Sequence, residues 1–375
     1  MAGDVVIIGA GVIGLSSAVA CADAGLTVTL IDPEPGRGAS WAAAGMLAPV
    51  TELHYGEDAV LRFALAASRR WETWARDLGQ RGAVIGYDRC GSLMVARDGD
   101  DAAELRRLMV TQVSLGLTVE WLRSREARAA EPGLAASIRG AVLVEGDHQV
   151  DNRALVRGLL GVVGRTPQIT LSSERANALL TTRGRVRGVL TSGGTQVGAG
   201  VVVLAAGAHS SMIRGLPPGL DVIRPVKGQL LHLRSPSGPL ASANLRGLEA
   251  YIVNRPDGRL VVGATVEERG FDTTVTAGGV SQLLRAAWEL LPGIDDCELV
   301  QATAGLRPGS PDNAPLLGLV QDVEGLILAT GHYRNGVLLS PVTADVVAAL
   351  ATGKDPGLDL TAFRPGRFTT DGVVV

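Results

Sequence analysis

The stretch that decides the fold is Val5-Val6-Ile7-Ile8-Gly9-Ala10-Gly11-Val12-Ile13-Gly14. Four consecutive apolar residues predict a parallel strand buried on both faces. The small, apolar run 15–24 reads as a helix packed closely on that strand, and Gly25 as its stop. Residues 26–31 form a second strand pattern, closed by Asp32. These pieces make one βαβ unit. Each glycine has a physical reason. Gly9 permits a tight turn, Gly11 lets backbone approach a pyrophosphate, and Gly14 lets helix meet strand. The helix N-terminus offers unpaired N–H groups to phosphates. Asp32, 18 residues after Gly14, can accept hydrogen bonds from ribose hydroxyls. The motif predicts a dinucleotide site but does not distinguish FAD from NAD.

Outward from this unit, similar elements recur midway and late. Strand patterns lie at 169–171, 178–181, 186–191 and 201–205, the last ending at Gly207. A strand at 326–329 precedes a glycine-rich turn and a helix at 341–351, for which Ser340 reads as N-cap and Pro341 as first residue. Between them, 224–299 changes character. Strand patterns at 229–233, 250–253 and 260–264 read as antiparallel, with a hairpin turn at 254–258. A helix at 59–78 places Phe63, Ala67, Trp71 and Trp74 near one face. The expectation is an α/β chain, α+β overall: a Rossmann-like domain assembled from separated segments, plus an antiparallel-sheet domain inserted among them.

Composition narrows the function. Of 375 residues 49 are glycine, nearly twice the usual ~7%. No Gly-X-Y period or Gly/Ser tract accompanies them, which excludes collagen and flexible linkers. A net charge of −3 with no polybasic run argues against nucleic acid and anionic membranes as partners. Cys21, Cys90 and Cys297 are widely spaced and odd in number, which fits a reducing compartment and a cytoplasmic location. No charged n-region precedes the first strand, so a signal peptide is not expected. No apolar run reaches the ~18 residues of a membrane span. The five histidines show no metal-ligand spacing.

Further segments carry chemistry. Residues 39–49 run Ala-Ser-Trp-Ala-Ala-Ala-Gly-Met-Leu-Ala-Pro. Such small side chains suit either close approach to a large planar group or tight helix packing. Tyr251 opens the hairpin, and 258–265 follows as Gly-Arg-Leu-Val-Val-Gly-Ala-Thr. Arg307 lies in Ala304-Gly305-Leu306-Arg307-Pro308-Gly309, and Arg334 in Thr330-Gly331-His332-Tyr333-Arg334-Asn335-Gly336. A guanidinium among glycines and apolar residues either grips a carboxylate through two parallel hydrogen bonds or forms a structural ion pair.

In this order the segments resemble the FAD-dependent D-amino acid oxidase superfamily of amine oxidases, most closely its glycine oxidase branch in thiamine biosynthesis. The resemblance runs over nearly the whole chain. It implies an FAD-binding domain from 1–85, 140–222 and 300–365, and a substrate domain from 86–139 and 223–299. It implies non-covalent FAD, because Cys297 does not match the attachment position of sarcosine oxidases. Beside Gly9, Gly11 and Gly14, the residues Val12, Ile13, Asp32, Pro33, Ala39 and Ser40 would line its ADP half. Ala44, Gly45 and Met46 would approach the flavin, and Ala178 would touch the cofactor through its backbone. His332, Tyr333, Arg334, Asn335, Gly336, Val337 and Leu338 would border the isoalloxazine. Arg307 matches the carboxylate-binding arginine, with Tyr251 and Arg334 beside it.

The implied reaction is oxidative deamination of glycine or a similar small amine to the 2-oxo acid, ammonia and hydrogen peroxide. Hydride passes to flavin N5 and oxygen reoxidises the flavin. Alternatives within the family are oxidation of sarcosine, D-alanine or D-proline, or a dehydrogenase with another electron acceptor. The family also implies a homo-oligomer, with a tetramer as one form. His332 invites a general-base role, but the implied mechanism favours a structural or flavin-contact one. Ala48, Val266 and Glu249 depart from residues common at the pocket, where glycine, methionine and histidine can stand, so they bear on substrate preference.

Overall fold

The computed structural model describes residues 3–370, 373 and 374. Strand Gly3–Ile8 is the centre of the first sheet. It pairs in parallel with Val28–Ile31 on one side and Gln196–Leu204 on the other. Val5, Val6 and Ile7 are fully buried, as a strand covered on both faces requires. Ile169–Ser172 extends one edge in parallel, and Leu326–Thr330 then Leu316–Leu319 extend the other, the last antiparallel. A hairpin of Ala176–Thr182 and Arg185–Thr191 joins through Gln196–Leu204.

Helices Val12–Asp23, Asp58–Gln80 and Gly336–Ala351 pack on this sheet around one apolar core. Phe63, Ala67, Trp71 and Trp74 all face that core, as their spacing predicts. The Trp71 indole N–H donates to the Leu338 carbonyl at 2.7 Å and fastens the long helix to the last one.

That last helix corrects one expectation. It begins at Gly336 rather than Pro341, and Pro341 lies inside it. The proline has no N–H for the carbonyl of Val337 four residues earlier. The Ser340 hydroxyl donates to that carbonyl at 2.8 Å instead. Ser340 is therefore not an N-cap; it repairs the bond that Pro341 cannot make.

A second sheet lies beside the first. Its order is Glu298–Gly309, Arg224–Arg234, Arg259–Gly263, Tyr251–Asn254, Asn244–Arg246, Ser92–Ala96, Gly140–Val144 and Glu120–Arg123. All pairings are antiparallel except that of Asn244–Arg246 with Ser92–Ala96. Its two faces follow period-two alternation. Leu231, Ile252 and Val262 turn toward helix Ala277–Trp288. Leu230, Tyr251 and Gly263 stand in one cross-strand row on the opposite face. Strands Gly140–Val144 and Glu298–Gly309 belong to this sheet, so segment boundaries drawn at 140 and 300 fall at or within strands of the second layer.

The βαβ turn leaves no room for side chains. A Cβ on Gly14 would lie 1.8 Å from the Gly9 carbonyl oxygen, and one on Gly9 2.4 Å from that of Ala205. Gly14→Ala should therefore cost roughly 2 kcal/mol or more, as overpacking of a backbone contact does. A urea midpoint within error of the parent's would refute that reading.

Candidate active site

A cavity of about 770 Å³ runs between the two sheets, from the βαβ turn at one end to Arg307 at the other. Its size falls in the ~300–1,000 Å³ range of ligand sites. Gly9, Gly11, Val12, Ile13, Asp32, Pro33, Ala39, Ser40, Ala44, Gly45 and Met46 line it. So do His332, Tyr333, Arg334, Asn335, Gly336 and Val337. Three expected contacts are not in its wall. Gly14 is spent on helix–strand packing. Leu338 turns into the core. Ala178 pairs with Leu190 inside its hairpin, while Arg175 and Ala176 at the start of that strand reach the wall.

At the turn end the backbone is the binding surface. Gly9 takes a φ of +103°. Gly11, before the helix, provides no side-chain cap. The Ser40 hydroxyl accepts from Val12 N at 2.9 Å and stands 3.1 Å from where a Gly11 Cβ would be. Asp32 accepts from Ala10 N at 2.6 Å and from Glu34 N at 2.8 Å. Its carboxylate thus shapes the turn while keeping lone pairs for hydroxyl donors. Glycines that admit no Cβ, a helix N-terminus and a carboxylate at the second strand's end form a cradle that fits a dinucleotide.

The middle of the cavity is built from small residues held from behind. Gly45 takes a φ of +83°, and a Cβ there would lie 2.0 Å from the Val150 carbonyl. Val150 N donates to Gly45 O at 2.8 Å. The Arg255 guanidinium donates to Ala44 O at 2.7 Å and to Gln149 Oε1 at 2.6 Å. Burial draws this arginine's pKa down to about 10, with Asp151 opposing the shift. The sequence places Arg255 in a hairpin turn and shows nothing of this role.

At the far end Arg307 and Tyr251 meet. A Cβ on Gly228 would lie 2.3 Å from Arg307 Nη1, so the guanidinium lies directly across that glycine. Nη1 donates to Thr265 O at 3.1 Å and Lys227 O at 3.4 Å. Among the described residues no carboxylate pairs with Arg307. Gly263 makes the corresponding room for Tyr251, whose hydroxyl oxygen would lie 2.4 Å from a Cβ there. Burial holds the Tyr251 phenol above its ordinary 10, and neighbouring Arg307 pulls the other way.

Arg334 takes the ion-pair alternative. Its guanidinium meets Glu52 at 3.1 Å and also pairs with Glu57. Glu52 pairs in turn with Arg246, which opposes Tyr251 across the sheet. Burial pushes the Glu52 carboxyl up, but Arg246, Arg334 and His54 together hold it below the usual range. Asp147 accepts from Val50 N and Thr51 N at 3.1 and 2.9 Å and so anchors the turn that presents Glu52. Sequence reading missed Glu52, Arg246 and Gly228. Strand register brings Arg246 beside Tyr251 and Gly228 beneath Arg307, and the turn that Asp147 anchors brings Glu52; none of these pairings is marked in the nearby sequence.

His332 is 2% exposed, and its Nε2 lies 3.1 Å from Thr343 Oγ1 on the following helix. Burial drives its pKa down to about 3. The ring is neutral and tied to the protein. Ala48 is a buried part of the cavity wall, whereas Val266 and Glu249 are exposed at its mouth, where Glu249 meets Arg97 at 3.3 Å. No group of three metal-binding side chains occurs among the described residues. No helix among them is long and apolar enough to cross a membrane.

Known proteins resemble this chain in sequence and in fold. The family described as FAD dependent oxidoreductase (DAO) matches residues 4–350. The chain is 35% identical over 377 residues to glycine oxidase of Pseudomonas aeruginosa, covering 96% of this chain and 98% of that protein. Identity is also 35% over 375 residues to the bifunctional protein ThiO/ThiG of Synechocystis sp., covering 98% of this chain but spanning only 54% of that longer relative. The crystal structure of glycine oxidase from Geobacillus kaustophilus matches with a TM-score of 0.91 at 33% identity, covering 98% of this chain and 99% of that one.

The buried histidine has a pH signature. Its folded pKa, about 3, lies below its ordinary 6.5. The unfolded chain therefore gains a proton first as pH falls. The contribution is complete above about 6.5 and declines toward pH 3, by up to ~1.4 kcal/mol per unit. His332→Gln should flatten the fall in urea midpoint between pH 7 and 5. An identical slope in variant and parent would assign the acid sensitivity elsewhere.

Proposed function

Because the chain belongs to the FAD-dependent oxidoreductase family, we propose that it oxidises glycine and similarly small amino acids to the 2-oxo acid, ammonia and hydrogen peroxide. The reaction consumes one dioxygen and one water per amine. Its place would be thiamine biosynthesis, as the resemblance implies. The observation that carries this reading is Arg307: a guanidinium in the cavity wall, free of carboxylate partners among the described residues, beside the Tyr251 phenol.

The protein's own contribution is positioning. Arg307 offers parallel N–H donors to a substrate carboxylate. Tyr251, held protonated, donates a further hydrogen bond from strand Tyr251–Asn254, on the same face of the sheet. Leu230, Ala264 and Ala48 give the nearby wall little polarity and little room. FAD, when bound, would supply the two-electron redox chemistry that the side chains lack. The residues fit the cofactor as well: the glycine cradle and Ser40 would hold its ADP half, and the backbone of 44–46 its ring system. Arg334 is committed to Glu52 and Glu57, so its part is to fix the segment that carries Glu52 rather than to bind the carboxylate alone.

His332 does not serve as the base for the amine proton, since its Nε2 is engaged by Thr343. On this reading the substrate reacts as the neutral amine, and alignment does the rest.

Two measurements test this. Anaerobic addition of glycine should bleach the flavin absorbance, and air should restore it with one peroxide per turnover. A bleached flavin that yields no peroxide would instead indicate a dehydrogenase. Arg307→Ala should raise KM by ~100- to 1,000-fold, the value of two charge-assisted hydrogen bonds; an unchanged kcat/KM would remove Arg307 from the site. Separately, kcat/KM should rise with pH along the substrate amine's own ionisation and shift when a less basic amine is used. A profile independent of the amine would require a protein base.

A further inference from the structure

Segment 264–276 links strand Arg259–Gly263 to helix Ala277–Trp288 and borders the cavity mouth through Ala264, Val266, Phe271 and Thr273. Val266 and Phe271 are 67% and 45% exposed, so core packing does not hold them. Phe271 touches only the flank of the cavity, with its ring centroid 5.0 Å from that of His209. What fixes the segment lies behind it.

Lys227 is 1% exposed. Its Nζ lies 3.1 Å from Asp272 Oδ2 and 3.5 Å from Glu267 Oε2. Its backbone N–H and carbonyl exchange hydrogen bonds with those of Glu267 at 2.9 and 3.0 Å. Gln229, two residues on, donates to Glu267 Oε1 at 2.7 Å and accepts from Thr276 N at 2.9 Å. The segment is thus gripped near both ends, while 268–271 is exposed between the grips, touched only at the surface by the Arg224–Glu268 ion pair at 3.2 Å and by His209 beside Phe271.

The residue type is informative. The chain has 35 basic residues, and only Lys227 and Lys354 are lysines. Where arginine is the default, a lysine in a closed slot points to a site that admits a slim stem and a compact ammonium but not a planar fork. The slot also adjoins the substrate anchor. Gly228 lies beneath Arg307, and the carbonyls of Lys227 and Thr265 both accept from Arg307.

We propose that Lys227 is a specificity-determining positioning residue. By clamping Asp272 and Glu267 it sets how far Val266 stands from Arg307, and hence the size of amine that fits. The substrate part rests on the amino acid oxidase reading; the clamp itself is a property of the segment.

The test uses FAD-loaded full-length protein carrying Asp272→Asn or Lys227→Met. The first readout is tryptic cleavage after Arg269, which lies in the exposed part of the segment, followed by mass spectrometry. Releasing the clamp should raise that rate by ~10-fold, as a lost local restraint does. The second is the ratio of kcat/KM for N-ethylglycine to that for glycine, which should rise by ~3- to 10-fold, the scale of one pocket contact. Cleavage and ratio both at the parent's values would overturn the proposal. So would an equal loss on both substrates with unchanged cleavage. If Lys227→Met does not fold, Asp272→Asn, altered at an exposed residue, decides. If the parent oxidises neither amine, the oxidase reading fails and cleavage after Arg269 alone decides the clamp.

Discussion

The whole architecture depends on one steric constraint: backbone must touch backbone where strand Gly3–Ile8 turns into helix Val12–Asp23. The Gly9 carbonyl sits where any larger residue at position 14 would place its Cβ. Only this contact lets the helix start close to the sheet, with its N-terminal N–H groups facing the cavity. Asp32 then ties the next strand to the same turn through Ala10 N. From there the central strand fixes the positions of Gln196–Leu204 and Leu326–Thr330, whose ends form the inner wall.

The arginines illustrate how a protein decides between two uses of one side chain. Arg307 and Arg334 have similar sequence surroundings, each flanked by glycine and apolar residues. In the fold, Arg334 faces a turn that carries two glutamates, and it is neutralised there. Arg307 faces a glycine and two carbonyls, which orient a guanidinium without cancelling its charge. The same glycine device recurs at Gly263, beneath Tyr251. Orientation without neutralisation is what leaves a cation ready to hold an anion.

The first sheet and the glycine-turn end of the cavity were legible in the sequence because their signals are local. A buried strand, a glycine turn and an acid at the next strand's end occupy 28 consecutive positions, 5–32. The helix at 59–78 was equally plain from its spacing. Less local features were not. Pro341 suggested a helix start, yet the Ser340 hydroxyl lets the helix pass through it. Ala178 faces a hairpin partner because strand register, invisible in one chain, puts Ala176 at the wall. Glu52, Arg246 and Arg255 act through partners 106 to 282 residues away, as Arg255 does with Gln149 and Arg334 with Glu52. Such pairings follow from topology and leave no mark on nearby sequence.

The interleaving of the two sheets has a consequence for how the molecule comes together. The chain leaves the first sheet for the second after Val28–Ile31, returns at Ile169–Ser172, leaves again at Arg224–Arg234, and returns at Leu316–Leu319. Neither sheet is encoded by one continuous stretch, and the pairing of Arg224 with Gly309 closes a long loop. Such non-local closure slows folding because chain entropy is lost before contacts compensate it. The cradle at one end and the arginine at the other coexist only after the last crossing. Binding a dinucleotide across both sheets therefore reports on completion of the entire fold, and free cofactor stabilises the native molecule in proportion to the logarithm of its concentration.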